Sequence, residues 1–155
     1  MKNAMLQEGD RLPDVTVPDD DGRPVSTTAL LGGPLVLYFY PKDDTPGCTT
    51  EASEFRDLYA KFEAKRARIV GVSRDSPESH QRFKAKFSIP FTLLSDREST
   101  LCDAFGVIVE KNMYGRKSKG IARSTFLIDG DGRIVKVWPK VKVDGHAQEV
   151  LESLP

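Results

Sequence analysis

The chain has 155 residues, about the length of one domain, and its 23 basic side chains balance 23 acidic ones. With 39% hydrophobic and 30% charged residues it has the composition of a folded globular protein. The balanced charge gives no reason to expect nucleic acid or an anionic membrane as a partner.

The N-terminus, MKNAMLQEGD, lacks the apolar core of a signal peptide, and no stretch is apolar enough to cross a bilayer. Two cysteines 54 positions apart predict neither a disulfide scaffold nor a metal site built from cysteines. A reducing, cytoplasmic location is therefore expected.

The first half of the chain predicts strands and helices in alternation. Residues 15–17 and 24–26, on either side of a turn at 19–22, predict a small N-terminal hairpin. Residues 35–40 are continuously apolar and predict a strand buried on both faces. Apolar side chains at helical spacing predict a helix from Cys48 to about Phe62. Its other face, expected to be exposed, carries Glu51, Glu54, Arg56, Asp57 and Lys61.

The middle of the chain continues this alternation. A buried strand is predicted at 67–73, a helix from a Ser76 cap to about 87, and a short strand at 91–94. Asp96 is expected to cap a helix through about 105 that Gly106 ends. Residues 107–109 are strand-like, and the charged stretch 110–120 predicts a loop.

The end of the chain predicts an antiparallel hairpin and a last helix. Ser124–Ile128 and Ile134–Trp138 are apolar runs joined by the turn sequence DGDG, and a helix is expected to start near Gly145. This order of elements predicts one α/β domain over residues 1–155, with a mixed central sheet and helices on both faces.

Thr45-Pro46-Gly47-Cys48 follows the first buried strand and has the composition of a helix start. Thr45 suits the N-cap and Pro46 the first helical position. Cys48 would lie in the first turn, where free N–H groups and the helix dipole favour the nucleophilic thiolate. The alternative is a buried, inert cysteine. Its position at the carboxyl edge of the sheet, where α/β folds place ligands, favours a reactive thiol.

Two separated motifs carry a family resemblance. Pro41, Thr45 and Cys48 form P-x-x-x-T-x-x-C, and R-S-T-F-L-I-D follows at 123–129. With FYPKDDTPGCTTEASEFRD, VGVSRD, FTLLSD, KNMYG and GIARSTFLIDGDGRI, these motifs resemble the peroxiredoxins, specifically the bacterioferritin-comigratory-protein (PrxQ-type) subfamily, over nearly the whole chain. The resemblance implies a thioredoxin-like α/β fold, a mixed central β-sheet flanked by helices, with an N-terminal β-hairpin extension.

The resemblance also implies a thiol peroxidase that reduces hydrogen peroxide or alkyl hydroperoxides. Cys48 matches the peroxidatic cysteine, which becomes a sulfenic acid. Thr45 matches the threonine that aligns peroxide and thiolate, Pro41 the proline that shields the thiolate, and Arg123 the arginine that stabilises developing charge. Thioredoxin or another thiol would be the reductant, no metal or organic cofactor is implied, and a monomer or weak homodimer is expected.

The second cysteine, Cys102, is the candidate resolving cysteine, and its role is open. Many PrxQ-type relatives carry a resolving cysteine five residues after the peroxidatic one, where this chain has Ser53. Others carry it in the helix at about 76–87, which has none here. Cys102 lies beside Leu101 and one turn before Phe105, a pattern typical of core packing. An inert core cysteine, an intramolecular resolver and an intermolecular disulfide are the three interpretations.

The other site residues also have ordinary interpretations. Thr45 could only cap the helix, Arg123 taken alone could be a surface strand residue, and Pro41 could simply end its strand. Glu51 could join a hydrogen-bond network with Arg123 or lie on the exposed helix face.

The loop 42–44 is expected to be solvated, and both histidines, His80 and His146, are expected at the surface.

Two rival functions would use the region of the chain around Cys48. A disulfide oxidoreductase would need C-x-x-C, and the chain has Cys48-Thr49-Thr50-Glu51. A thioredoxin-fold redox-sensing or binding module without peroxidase turnover is the alternative from a different functional class.

Overall fold

The computed structural model describes residues 4–155, and at Met113 the backbone alone. Residues 1–3, on which part of the expectation about the N-terminus rests, lie outside the described residues. The strands are β1 Thr16–Pro18, β2 Pro24–Ser26, β3 Leu35–Phe39, β4 Arg68–Ser73, β5 Thr92–Ser95, β6 Ile108–Met113, β7 Arg116–Ile121, β8 Ser124–Ile128 and β9 Ile134–Trp138. The helices are α1 Pro46–Asp57, α2 Tyr59–Ala64, α3 Pro77–Phe87, α4 Thr100–Phe105 and α5 His146–Glu152, with a 3₁₀ turn at Thr27–Leu30.

A mixed five-stranded sheet, in the order β5-β4-β3-β8-β9, forms the centre of the fold. The strands β3, β4 and β5 are parallel, whereas β8 runs antiparallel to β3 and β9 to β8. The predicted N-terminal hairpin is confirmed as the pair β1–β2, and the predicted C-terminal hairpin as β8–β9. This arrangement is the thioredoxin-like fold with its N-terminal extension.

Both faces of the sheet are buried, as the uninterrupted apolar sequence of β3 predicts. Leu37 and Phe39 pack with α4 in one hydrophobic cluster, and Val36 and Tyr38 pack with α1, α2, α3 and α5 in the other. All five residues of β3 are buried because helices or loops cover each side of it. Two separate hydrophobic layers therefore lie on opposite sides of one sheet.

The predicted helix from Cys48 to Phe62 is divided in two. Leu58 has φ −101° and ψ 4°, outside the helical region, and separates α1 from α2. The change of direction lets Phe55 and Phe62 both reach the core, with ring centroids 5.8 Å apart. Apolar spacing alone does not reveal this break because both pieces keep their apolar side toward the sheet.

The prediction of a loop at 110–120 is wrong. Residues 108–121 form the antiparallel hairpin β6–β7, which turns at Tyr114 and Gly115. Both turn residues have positive φ, 54° and 77°, as a tight hairpin turn requires. The strand predicted at 107–109 is confirmed as the start of β6. The rest of the hairpin escapes prediction because residues 116–119 of β7 are all exposed and polar, so no alternation of apolar and polar residues marks the strand.

The remaining helices follow their predicted capping signals. Ser76 accepts a hydrogen bond from the Ser79 amide at the start of α3, and Gly106 ends α4 with φ 69°. The Asp96 carboxylate accepts from the amides of Leu101 and Cys102, although α4 begins only at Thr100. Within residues 4–155 no helix is both long and apolar enough to cross a membrane.

Strand direction determines where the site lies. The loops after the parallel strands β3 and β4 leave the sheet at the same edge. Because β8 is antiparallel to β3 and Ser124 pairs with Phe39, the residue before Ser124 arrives at that edge too. That residue is Arg123, which explains how a position 75 residues away meets Cys48.

Candidate active site

Cys48 is the third residue of α1 and is buried, with 1% of its surface exposed. Pro46 occupies the first helical position, as predicted, and Thr45 is the N-cap residue. The first helical hydrogen bond runs from the Thr49 amide to the Thr45 carbonyl. The amides of Gly47 and Cys48 precede that bond, so they point out of the helix start beside the sulfur.

Arg123 lies between the sulfur of Cys48 and the carboxylate of Glu51. Its Nη2 atom is 3.3 Å from Cys48 Sγ, and its Nη1 donates to Glu51 Oε1 at 2.7 Å. Burial acts to lower the pKa of Arg123, but its interactions with Glu51 and Cys48 outweigh burial, and the pKa is raised. A permanently charged guanidinium thus faces the thiol at donor distance.

Gly47 lies directly against the guanidinium of Arg123. A Cβ atom at this position would lie 3.0 Å from Arg123 Nη2 and 3.6 Å from its Cζ. A glycine here predicts close approach by another molecule, and the group that approaches is the guanidinium of the same chain. A side chain at this position would crowd Arg123, and glycine leaves the space for it.

Thr45 and Pro41 lie in the loop that leads into α1. The Thr45 hydroxyl does not accept a hydrogen bond from the helix; it donates to the Lys42 carbonyl at 2.9 Å. That bond fixes the hydroxyl hydrogen, so the oxygen offers its lone pairs to any further partner. Pro41 is half-buried and directly follows Tyr40 at the end of the strand. These residues share one loop with Cys48.

Glu51 is buried, not exposed as the helix pattern predicts, and its place is beside Arg123. Burial raises the pKa of Glu51 to about 7, even though the charge of Arg123 acts in the opposite direction. Among the described residues its second oxygen, Oε2, has no hydrogen-bond partner. Of the two interpretations of Glu51, the hydrogen-bond network with Arg123 is confirmed, and the exposed helix face is wrong.

The raised pKa of Glu51 predicts a pH-dependent cost in stability. A buried carboxyl with a raised pKa stabilises the fold below its unfolded value of ~4.5 and loses that contribution as pH rises through about 7. Glu51→Gln keeps an acceptor for Arg123 and removes the ionisation. We expect urea unfolding to show the variant gaining about 1–3 kcal/mol on wild type between about pH 5 and pH 8.

Glu63→Gln is the matched control, because Glu63 is an exposed carboxylate on α2. It should follow the pH dependence of the wild type. Equal slopes for Glu51→Gln and wild type would show that Glu51 is ionised in both the folded and unfolded protein across this range.

Three further predictions of surface exposure are wrong. Asp43 is buried and accepts hydrogen bonds from Tyr40 and Ser79, whereas its neighbours Lys42 and Asp44 are exposed as predicted. His80 is buried against Asp43. His146 is buried as well, with Nε2 2.9 Å from the Thr125 hydroxyl, and burial lowers its pKa to about 4.

One group of side chains has the composition of a metal site. Donor atoms of Asp43, Asp75 and His80 lie within 4.8 Å of one another. However, His80 Nδ1 and Asp43 Oδ2 are 2.7 Å apart, and Asp75 Oδ2 accepts from Ser73 Oγ and from the Asp43 amide. These are hydrogen bonds that already use the donor atoms, so we assign the group to the structure of the loop.

The structure does not bring Cys102 to the site. Cys102 is buried in the hydrophobic cluster on one side of the sheet, and Cys48 belongs to the cluster on the other side. Both thiols are free. Burial and the nearby Asp96 carboxylate raise the pKa of Cys102, which disfavours its thiolate.

Comparison with known proteins identifies the family of the chain. Residues 9–137 match the AhpC/TSA family. A putative peroxiredoxin bcp of Coxiella burnetii is 51% identical over 96% of this chain and 99% of that protein. Peroxiredoxin Bcp of Escherichia coli is 41% identical over 96% of each chain.

Solved structures agree with the sequence relatives. A mutant of Xylella fastidiosa PrxQ superposes with a TM-score of 0.91 at 45% identity, covering 97% of this chain and 96% of that one. The bacterioferritin comigratory protein of Xanthomonas campestris, studied for its alkyl peroxide reduction activity, gives 0.87 at 46% identity, with coverage of 93% and 96%. With its thiol at a helix start beside an arginine, this chain belongs to the AhpC/TSA family and, within it, to the Bcp (PrxQ-type) peroxiredoxins, which are thiol peroxidases.

Proposed function

We propose that Cys48 is the peroxidatic cysteine and that Arg123, Thr45 and Pro41 complete the catalytic set. The observation that carries the proposal is the 3.3 Å contact between Arg123 Nη2 and Cys48 Sγ at the start of α1. A thiolate, an in-line peroxide and donors aimed at the departing oxygen are what cleavage of an O–O bond requires.

In the first step the Cys48 thiolate attacks one peroxide oxygen. An S–O bond forms as the O–O bond breaks, which leaves Cys48 as a sulfenic acid. The departing hydroxide or alkoxide takes a proton and leaves as water or an alcohol. Arg123 and the amides of the first helical turn donate to the oxygens while this charge develops.

Thr45 and Pro41 shape the same step. Because the hydrogen of the Thr45 hydroxyl is directed to the Lys42 carbonyl, its oxygen can accept a hydrogen bond from the peroxide O–H. This acceptor would hold the peroxide in line with the sulfur. Pro41, half-buried beside it, would exclude water from the thiolate.

The sulfenic acid is reduced by a thiol from another molecule, with thioredoxin as one candidate. The positions of the two cysteines on opposite sides of the sheet support a one-cysteine cycle in which Cys102 is a core residue. A disulfide needs Cα atoms within about 4.4–6.8 Å. The substrates are hydrogen peroxide and, as the X. campestris relative suggests, alkyl hydroperoxides.

We further propose one peroxiredoxin domain over residues 1–155 that acts in the cytoplasm as a monomer or weak homodimer. Two free, buried thiols support a reducing compartment. The alternative of a redox-sensing or binding module without turnover gains nothing from the relatives, which are named as peroxiredoxins.

Replacing Cys102 by serine tests the one-cysteine cycle. With dithiothreitol as reductant, we expect Cys102→Ser to consume hydrogen peroxide at the wild-type rate over many turnovers, because Cys102 takes no part in the chemistry. Thermal unfolding of the same samples would show whether the polar substitution weakens the core. A variant that folds normally but turns over well below the wild-type rate would identify Cys102 as the resolving cysteine.

A further inference from the structure

The loop between β3 and α1 is anchored to α3 by a buried network around Asp43. The Tyr40 hydroxyl donates to Asp43 Oδ1 at 2.6 Å, and the Ser79 hydroxyl donates to Oδ2 at 2.8 Å. His80 Nδ1 lies 2.7 Å from the same Oδ2. The Asp43 amide donates to Asp75 Oδ2 at 2.8 Å. Four contacts thus converge on one residue of the loop that carries Pro41 and Thr45.

The contacts of His80 define its protonation state. Nε2 is 2.9 Å from the Leu94 carbonyl oxygen, which can only accept, so Nε2 carries a hydrogen. Nδ1 faces a carboxylate that also accepts from Tyr40 and Ser79, so Nδ1 donates as well. These contacts are those of an imidazolium, with a hydrogen on each ring nitrogen, paired with the Asp43 carboxylate.

The surroundings of His80 agree with that charge. Burial disfavours the imidazolium, but the hydrogen bond and charge of Asp43 outweigh it, and the pKa of His80 is raised above 6.5. The titratable groups that face His80 from other elements are Asp43, Asp75 and Tyr40. Lys84, one turn further along α3, pairs with Asp20 instead.

We propose that the Asp43–His80 ion pair is a positioning device for the peroxide site, which holds the loop bearing Pro41 and Thr45 and releases it when His80 loses a proton. This inference rests on the proposed function of Cys48. Asp43 and His80 are positioning residues that contact neither the thiol nor the substrate; they act through the backbone of residues 41–45.

Deprotonation turns the pair from attractive to repulsive. Nε2 keeps its hydrogen for the Leu94 carbonyl, so the proton leaves Nδ1, and a lone pair then faces Asp43 Oδ2 at 2.7 Å. A histidine with a raised pKa stabilises the fold below about 6.5 and loses that contribution as pH rises through its folded value. The anchor of the loop therefore weakens on the alkaline side.

Asp43→Asn is designed to keep the hydrogen bonds that hold the loop while removing their dependence on the charge of His80. An amide at this place can accept from Tyr40 through Oδ1 and donate from Nδ2 to both Ser79 Oγ and a neutral His80 Nδ1. The network stays satisfied with His80 uncharged. The variant should keep the loop in place and lose the pH dependence.

The readout is a ratio of two rates at Cys48, measured from about pH 6 to about pH 10. Iodoacetamide alkylation reports the thiolate alone, whereas reaction with hydrogen peroxide also requires the aligned loop. In wild type the ratio of peroxide rate to alkylation rate should fall about tenfold toward alkaline pH, since misalignment costs rate. In Asp43→Asn the ratio should stay flat.

Asp20→Asn is the matched control. Asp20 is a buried carboxylate that pairs with Lys84, which lies on α3 like His80. It should keep the alkaline fall of the wild type. A flat ratio in wild type, or an alkaline fall retained in Asp43→Asn, would overturn the proposal.

A measurement on the wild type needs no variant and no peroxide activity. Nitrogen-15 NMR of labelled histidine side chains at about pH 7 should show both nitrogens of His80 protonated. His146, whose pKa is lowered to about 4, should be neutral and serves as the internal reference. A neutral His80 would refute the ion pair while leaving the assignment of Cys48 untouched.

Discussion

Cys48→Ser should reduce peroxide consumption to the rate of the reductant and buffer alone. A serine hydroxyl in the first turn of α1 fits the buried space of the thiol, but it stays protonated near neutral pH and does not attack an O–O bond. The loss should be complete for hydrogen peroxide and for alkyl hydroperoxides. Peroxide remaining after mixing with enzyme and dithiothreitol is the quantity to measure.

Cys102→Ser is the matched control for that loss, since it removes the other buried thiol from the opposite side of the sheet. It should retain activity. If Cys48→Ser kept substantial thiol-dependent turnover, the reactive sulfur would have to be Cys102, and the proposed site would be wrong.

Arg123→Ala should lower the second-order rate constant with hydrogen peroxide about 100- to 1,000-fold, the usual effect of removing a preorganised charged donor. The variant loses the cation 3.3 Å from Cys48 Sγ and the donor aimed at the departing oxygen. Stopped-flow measurement of the first turnover isolates this step from reduction by the external thiol.

Stability must be separated from catalysis in this variant, because Arg123→Ala leaves the buried Glu51 without its cation. Combining Arg123→Ala with Glu51→Gln removes the ionisable group that has lost its partner, and it should restore stability without restoring the rate. Arg82→Ala, an exposed arginine on α3, should behave as wild type. A rate that recovers in the double variant would mean that Arg123 acts only by supporting the fold.

Local sequence is enough to predict the elements that build the site. The apolar run of β3, the helix start at Thr45-Pro46 and the C-terminal hairpin each have a signal within a few residues, and each is confirmed. The contact between Arg123 and Cys48, in contrast, cannot be predicted from local sequence. It depends on the antiparallel pairing of β8 with β3, and in the sequence only the resemblance to a known family indicates it.

Buried polar residues are the main failures of prediction. Asp43 and His80 lie 37 positions apart, so neither is visible as the partner of the other in the sequence. Glu51 and Arg123 lie 72 positions apart, and only the family resemblance, which gives Arg123 a place at the site, makes their network one of the two interpretations of Glu51. A charged side chain without a visible partner is normally exposed, and that rule gives the wrong result at these positions. These side chains can be buried because the fold brings each of them a partner with which it forms a hydrogen-bonded pair.

The most direct test of the proposed cycle is the intact mass of the protein after one equivalent of hydrogen peroxide and no reductant. Wild type and Cys102→Ser should each gain one oxygen atom, located on the peptide that contains Cys48, and Cys48→Ser should gain none. A loss of two hydrogen atoms in wild type but not in Cys102→Ser would contradict the one-cysteine cycle and establish a disulfide between the two cysteines.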